Sequence, residues 1–440
     1  MDEQIYTSLI FEWQQIVLRR KAGVCRQIED RLLKTIGSRP IKIVTGFRRS
    51  GKSFLVQQVA RHLLEAGKIS PGNLLYLNLE DFRLMEVTSL DRLNRIYEMF
   101  LSISAGPGKK LLIFDEIQNV ASWDRFIRTI YERDVDVEII LTGSNSELLS
   151  SELGSNLAGR FIEFFLYPFS FREFLDYRKA MPATSAAYLR SRREINALFM
   201  EYLAFGGLPE VFDIPAPESK RSYLSGIISK VILDDVVRRF RVDNITLLEK
   251  LFHYLMAGAG GVTTFASLAR KARGLGIQTK NETIISYCNY LLKSFALLEL
   301  AKFNWKQGRV FSDSRKYYSI DNGLITLYRA AEENLSLRLE HVVLHELLRR
   351  HGQAWYGAND SGREIDFMVS ASGRICDKYQ VTVSLTPEDE KRELGAFALA
   401  DPHLRGGTNL LLSLDEDEEQ RQWQAVTIQR KNVVRWLLGV

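Results

Sequence analysis

The stretch Gly46-Phe47-Arg48-Arg49-Ser50-Gly51-Lys52-Ser53 fits G-x-x-x-x-G-K-[ST], a spacing whose chemistry is phosphate binding. Gly46 and Gly51 let backbone N–H groups approach phosphate oxygens, and a helix starting at the end of the loop adds its positive dipole end. Arg49, Ser50 and Phe54 belong to the segment that would cradle a nucleotide, with Arg48 and Arg49 read as packing or interface residues beside it. Lys52 is placed to reach the β- and γ-phosphates, and the Ser53 hydroxyl to ligate Mg²⁺. A second element, Leu111-Leu112-Ile113-Phe114-Asp115-Glu116, ends in two carboxylates. Asp115 at the end of a buried strand can hold the Mg²⁺ shell, and Glu116 can polarise an attacking water as general base. Two acids ending an apolar strand need compensating charge, which Mg²⁺ and Lys52 would supply. Ser144 and Asn145 follow another apolar strand and occupy a sensor-like position for the γ-phosphate or the water. Arg160 could stabilise transition-state charge, within the chain or in a neighbouring subunit.

These residues need a scaffold, and the sequence supplies one. IKIVTG, LLYLNLE, KLLIFDE, VEIILTGS and FIEFFLY are short apolar runs, and helical stretches such as SFLVQQVARHLLEAG and WDRFIRTIYERD lie between them. Continuous apolar strands alternating with helices predict a parallel sheet covered on both faces. The strand–loop–helix context is the one a phosphate-binding loop requires. Residues 1 to 38 read as helix. At 440 residues the chain is too long for one ordinary core. Five segments are expected: an N-terminal helical segment (1–38), the ATPase core (39–178), a helical subdomain (179–243), a winged helix (244–333) and a C-terminal α/β domain (334–440). No apolar run is long enough to span a bilayer, and the acidic start MDEQIYTSLIFEWQQ does not read as a signal peptide. Cys25, Cys288 and Cys376 stand far apart, in no metal-like spacing, which suits a reducing cytoplasm.

At GFRRSGKSFL, LLIFDEIQN, LTGSNSELLSSELGSNLAGR, YPFSFREFL, FGGLPEVF and YYSIDNGL the chain resembles the prokaryotic AAA-type (AAA+) ATPases that pair an AAA_14 P-loop domain with a C-terminal DUF4143 region. That resemblance covers nearly the whole sequence. It implies ATP binding and hydrolysis, with Mg²⁺ as cofactor, and assembly into a ring or other homo-oligomer. It also implies that Gly206, Gly207 and Pro209 lie near the nucleotide and couple its state to domain motion. From the residues alone, the double glycine followed by Leu-Pro breaks a helix.

Charge points to a partner. The formal net charge is +5, but residues 240–330 carry 13 Lys or Arg against 6 Asp or Glu, which is what a phosphate-backbone binder needs. TTFASLARKARGLG, NETIISYCNYLLKSFALLEL and KFNWKQGRVFSDSRKYYSID read as the helices and wing of a winged helix. Lys280 at the start of its second helix and Lys306, Arg309, Arg315 and Lys316 on the wing are the expected DNA contacts, with Trp305, Tyr317 and Tyr318 interleaved. From Glu340 the chain resembles a restriction-endonuclease-like fold. Its acids would be Glu346 on a helix and Asp366 on a strand, but Gln380-Val381-Thr382 stands where that fold carries Glu-x-Lys. A nuclease relic follows, since metal ligation loses a carboxylate and no lysine stabilises phosphoryl charge. The leading expectation is an oligomeric cytoplasmic ATPase acting on DNA, with no membrane partner. Two alternatives stand beside it: a nucleotide-gated signalling or defence switch that recruits protein partners, and an ATP-regulated nuclease.

Overall fold

The computed structural model describes residues 2–84, 89–103, 106–146, 157–306, 308, 310, 313–329, 334–358, 363–371, 374–404, 406–416 and 418–440. Contacts divide the chain into two units, Met1–Leu166 and Tyr167–Val440. No helix among the described residues is long and apolar enough to cross a membrane.

The first unit is built on five strands, β1 (Ile41–Thr45), β2 (Leu74–Asn78), β3 (Lys110–Asp115), β4 (Val137–Gly143) and β5 (Phe161–Phe165). They form one sheet in the order β2-β3-β4-β1-β5, with every pairing parallel. Every residue of β1 is buried, and β3 and β4 are buried except at their first residues, as their unbroken apolar sequences require. On one face α4 (Leu90–Ile103) and α5 (Trp123–Arg133) bury Leu93, Ile96, Phe126 and Ile127. On the other, α3 (Lys52–Glu65) buries Val56, Val59 and Leu63.

The N-terminal segment is two helices, α1 (Asp2–Arg19) and α2 (Gln27–Thr35), rather than one. Residues 20–26 between them are non-helical, and α1 packs beside the edge strand β2, where the Gln14 amide donates to the Leu74 carbonyl at 2.8 Å. That bond uses a backbone group which an edge strand would otherwise leave open.

The second unit begins with α6 (Phe171–Tyr177), α7 (Ser185–Phe205) and α8 (Pro217–Lys230), followed by a π-helical stretch, Val231–Arg238. Next come α9 (Ile245–Ala257), β6 (Val262–Thr263), α10 (Phe265–Gly274), α11 (Asn281–Lys293) and a hairpin of β7 (Leu297–Phe303) and β8 (Arg315–Ser319). After α12 (Asn322–Ile325) and α13 (Leu335–His351), five of the remaining elements are β9 (Trp355–Ala358), β10 (Glu364–Ala371), β11 (Arg374–Val381), α14 (Pro387–Ala400) and β12 (Asn409–Ser413). The last three are β13 (Glu419–Trp423), β14 (Val426–Asn432) and α15 (Val433–Leu438). β7 pairs in parallel with β9, so the hairpin and the C-terminal strands share a nine-stranded sheet.

Three of the sequence motifs meet inside this unit. α7 ends at Phe205 with Gly206 as its C-cap, and the next residue, Gly207, donates its N–H to the Asp321 carboxylate at 2.6 Å. Asp321 also accepts from Gly323 at 2.8 Å, and the Gly207 carbonyl accepts from Phe169 at 2.7 Å. A Cβ at Gly206 would stand 1.8 Å from an Asp321 oxygen, and one at Gly207 would stand 2.2 Å from the Phe169 carbonyl oxygen. The glycines are there for close approach, and the helix break follows from them. Burial pushes the Asp321 carboxyl up to about 6, against the two N–H groups that favour its charge.

Candidate nucleotide site

The loop after β1 carries the first half of the site. Gly46 has φ 151° and a Cβ there would lie 2.3 Å from the Leu166 carbonyl oxygen, so only glycine fits. Gly51, at φ 98°, is the N-cap of α3. Lys52 is buried at the first turn of that helix. Its ammonium donates to the carbonyls of Gly46 at 3.0 Å and Phe47 at 3.2 Å, and lies 3.5 Å from Glu116.

The second half comes from β3 and β4. Asp115 ends β3, buried among hydroxyl donors: Tyr76 donates at 2.6 Å, and Thr142 and Ser53 also bond its carboxylate. Burial, with the Glu116 charge beside it, holds the Asp115 carboxyl above its ordinary value. Glu116 has φ 56°, in the left-handed region that side chains other than glycine rarely adopt. Such strain is concentrated where structure over-determines a functional geometry. Its N–H is held by Thr142 at 2.9 Å and its carboxylate accepts from the Gln118 amide. Burial pushes the Glu116 carboxyl up, but Lys52, with bonds from Gln118 and Ser144, brings it below its ordinary value on balance. It is therefore a carboxylate at neutral pH.

Ser144 and Asn145 follow β4, whose Gly143 is paired with Thr45 of β1. Both are buried beside the loop, and the Gln118 amide donates to the Ser144 hydroxyl at 3.4 Å. The structure thus brings together Gly46, Ser50, Gly51, Lys52, Ser53, Asp115, Glu116, Ser144 and Asn145. Arg49 has φ 66° and is exposed on the loop. The Phe54 ring is covered by the Arg20 guanidinium at 4.5 Å, and it lies where a Cβ on Gly23 would touch it at 2.4 Å. It packs against the segment before α2.

Arg160 is the clear departure. Its carbonyl accepts from Ile41 N–H at the start of β1, and its guanidinium lies 3.3 Å from Glu132. The loop leaves β1 at the opposite end, beyond Thr45. At about 3.3 Å per residue the five-residue strand separates the two by roughly 16 Å. The role within the chain is corrected: Arg160 lies at the wrong end of the strands to meet phosphates bound at its own loop. Residues 147–156 of the LTGSNSELLSSELGSNLAGR motif lie outside the described residues.

Sequence reasoning missed Tyr76, Thr142 and Gln118. A tyrosine and a threonine at buried positions of apolar strands were the available signal, because each hydroxyl there needs a partner.

The DNA candidates separate. Lys280, at the N-cap of α11, and Lys306 are exposed. Arg315 is half-buried, 3.1 Å from Glu299 and stacked 4.0 Å over the Phe265 ring. Lys316 is corrected: it is 5% exposed and paired with Glu364 at 2.9 Å, because β8 is buried on both faces from Lys316 to Ser319. Trp305, Tyr317 and Tyr318 are buried and cannot stack on bases. Arg309 lies outside the described residues.

In the C-terminal strands Asp366 lines a cavity of about 590 Å³ with Lys316, Glu340, Gln380, Thr382 and Glu393. The helical acid is Glu340, not Glu346. Six residues on, Glu346 points about 240° around α13 and pairs with Arg350 at 2.7 Å. The Gln380 amide donates to Glu393 at 2.8 Å and its carbonyl oxygen accepts from Asp366 N–H at 2.7 Å. Burial and the Asp366 charge push the Glu340 carboxyl up to about 8. Among the described residues no group of three or more His, Cys, Asp or Glu side chains is arranged to hold a metal ion.

The parallel sheet, its glycine loop and the paired acids at the loop end define the AAA class of P-loop domain, and residues 38–175 match the family described as AAA domain. The chain belongs to the family of an uncharacterized Haemophilus influenzae protein, with which it is 31% identical over 336 residues, 76% of this chain and 80% of that one. An uncharacterized protein of Methanocaldococcus jannaschii is 27% identical over 419 residues, 94% of this chain and 90% of its own. Residues 196–334 match a domain of unknown function, DUF8612, and the DUF4143 half of the resemblance is not shown. Similar solved structures include a Walker-type ATPase of Pyrococcus abyssi, with TM-score 0.46 and 17% identity over 71% of this chain and 97% of that one. Another is the ORC1 protein of Aeropyrum pernix in complex with DNA, with TM-score 0.32 and 15% identity over 73% and 96%.

An AAA domain implies a nucleotide with Mg²⁺, and the residues present fit both. The Ser50 hydroxyl is buried in the loop with no partner among the described residues, and the Ser53 hydroxyl meets the Asp115 carboxylate, the donor set such a metal takes.

Proposed function

We propose that this protein binds ATP with Mg²⁺ and hydrolyses it. The observation that carries the reading is the meeting of Lys52, Ser53, Asp115 and Glu116 at one end of the parallel sheet. Backbone N–H groups of the loop and the start of α3 would hold the phosphates, with Lys52 on the β- and γ-oxygens. Ser53 and Asp115 would hold Mg²⁺, which when bound draws charge from the phosphate oxygens. Glu116, kept ionised by Lys52, takes the proton of the attacking water. Ser144 and Asn145 orient that water or the γ-phosphate. Arg160 serves a neighbouring subunit in a homo-oligomer, since it cannot serve its own loop. Calorimetric titration with ATP and Mg²⁺ tests the reading: wild type gives a saturable isotherm and Lys52→Ala a flat one. Equal isotherms for the two would place the nucleotide elsewhere.

DNA is the proposed partner of this cytoplasmic ATPase. The excess of basic residues over 240–330 supports it, as does the order helix, short strand, two helices, hairpin from Ile245 to Ser319, which suits a winged helix. Lys280, Lys306, Arg309 and Arg315 are the contacts proposed. Each lost duplex phosphate contact should flatten the salt slope of binding by roughly 0.9. A Lys280→Ala, Lys306→Ala double variant therefore binds more weakly at low salt with a shallower slope. An unchanged slope would exclude this face.

A further inference from the structure

Four side chains of the first unit are linked in one line that ends on Asp115. The Arg20 guanidinium donates to the Gln57 amide oxygen at 2.6 Å. The Gln57 amide nitrogen donates to the Tyr76 hydroxyl at 2.8 Å. The Tyr76 hydroxyl donates to the second oxygen of Asp115 at 2.6 Å. The direction of every bond is forced. A guanidinium can only donate, so it fixes the Gln57 oxygen towards Arg20 and the Gln57 nitrogen towards Tyr76. The Tyr76 hydroxyl accepts from that nitrogen and sends its one proton to the Asp115 carboxylate, which in its ionised form can only accept.

The other Asp115 oxygen is treated the same way. Thr142 accepts from the Glu116 N–H at 2.9 Å and gives its own proton to Asp115, whose ionised carboxylate can only accept. Asp115 is thus held by two hydroxyls that are each engaged by a further donor, with Ser53 as its third hydroxyl partner. Gln57 is on α3, one turn beyond Ser53, and is buried. Arg20 begins the non-helical segment before α2, whose Arg26 donates to the Ser50 carbonyl of the phosphate loop at 3.0 Å.

We infer that Arg20, Gln57 and Tyr76 form a one-way hydrogen-bond relay that positions Asp115 for the Mg²⁺ of bound ATP, making the segment between the first two helices a lever on metal-dependent nucleotide binding. This rests on the ATPase reading above. Tyr76 is a positioning residue: it acts through Asp115 and touches neither phosphate nor water. Loosening the relay at Tyr76 leaves the phosphate loop and Lys52 as they are, so it costs metal affinity and spares metal-free nucleotide binding.

The test titrates Mg²⁺ into full-length protein with a fluorescent ATP analogue and repeats the binding in EDTA. Losing one hydrogen bond to a carboxylate should raise the Mg²⁺ needed for half-saturation about tenfold in Tyr76→Phe, with binding in EDTA unchanged. Arg20→Ala shifts the same midpoint in the same direction by about threefold, and Arg20→Lys restores most of it. The double variant Tyr76→Phe, Arg20→Ala shifts no further than Tyr76→Phe alone, because both cut one line. An unchanged Mg²⁺ midpoint in Tyr76→Phe, or equal weakening with and without metal, overturns the relay. If Tyr76→Phe does not fold, the pair at the half-buried Arg20 decides: equal midpoints for Ala and Lys overturn it. Wild type that binds no nucleotide under either condition overturns the ATPase reading itself, a result distinct from all of these.

Discussion

Buried carboxylates in this protein are sorted by what stands beside them. Glu116 has Lys52 at 3.5 Å and stays below its ordinary value, fit to accept a proton. Glu340, buried next to Asp366, is pushed up to about 8. The second case gives a signed pH dependence. A carboxyl whose folded value is raised favours the folded state when protonated. Its contribution is complete below the ordinary glutamate range and is lost as pH rises to about 8. Glu340→Gln stays neutral throughout. The melting temperature of this variant minus that of wild type should grow from about pH 5 to about pH 8 and then level off. A difference that is flat with pH would show that Glu340 is not held protonated. Lys52, Ser53, Asp115 and Glu116 were legible in the sequence because each belongs to a spacing with one chemical use. Glu340 was not, because only the facing of α13 chooses between it and Glu346.

The elements show where patterning suffices and where it stops. Five apolar runs became five parallel strands because β1 to β4 are buried almost throughout and so read as nearly unbroken apolar sequence, while β5, at the sheet edge, is only partly covered and leaves Glu163 exposed. The N-terminal helix was read as continuous, yet its apolar spacing survives the non-helical residues 20–26, since Val17 and Leu32 join one core from separate helices. Basic and aromatic residues around β8 looked like a binding surface, but residue type does not say that a strand is covered on both faces, and Lys316, Tyr317 and Tyr318 are all buried. The double glycine after α7 was legible as a helix break, while its reason, a backbone clasp on Asp321 and Phe169, is tertiary. Gly207→Ala must separate that clasp or move Phe169, both held by buried hydrogen bonds. It should cost about 2–4 kcal/mol in denaturant unfolding. A cost under about 0.5 kcal/mol, the range of an exposed substitution, would mean the clasp is slack.

For the protein as a whole, ATP turnover at the first unit is the claim on which the DNA, assembly and relay readings depend. The arrangement separates binding from chemistry. In the proposed mechanism Lys52 serves the phosphates and Glu116 the water, and a glutamine at 116 keeps the shape without the base. The most direct measurement is the rate of phosphate release from ATP with Mg²⁺ by wild type, Lys52→Ala and Glu116→Gln. The account predicts turnover in wild type and none above background in Lys52→Ala. It predicts that Glu116→Gln still binds ATP but releases phosphate at least about a hundredfold more slowly. Phosphate release by Lys52→Ala or Glu116→Gln at the wild-type rate would contradict it.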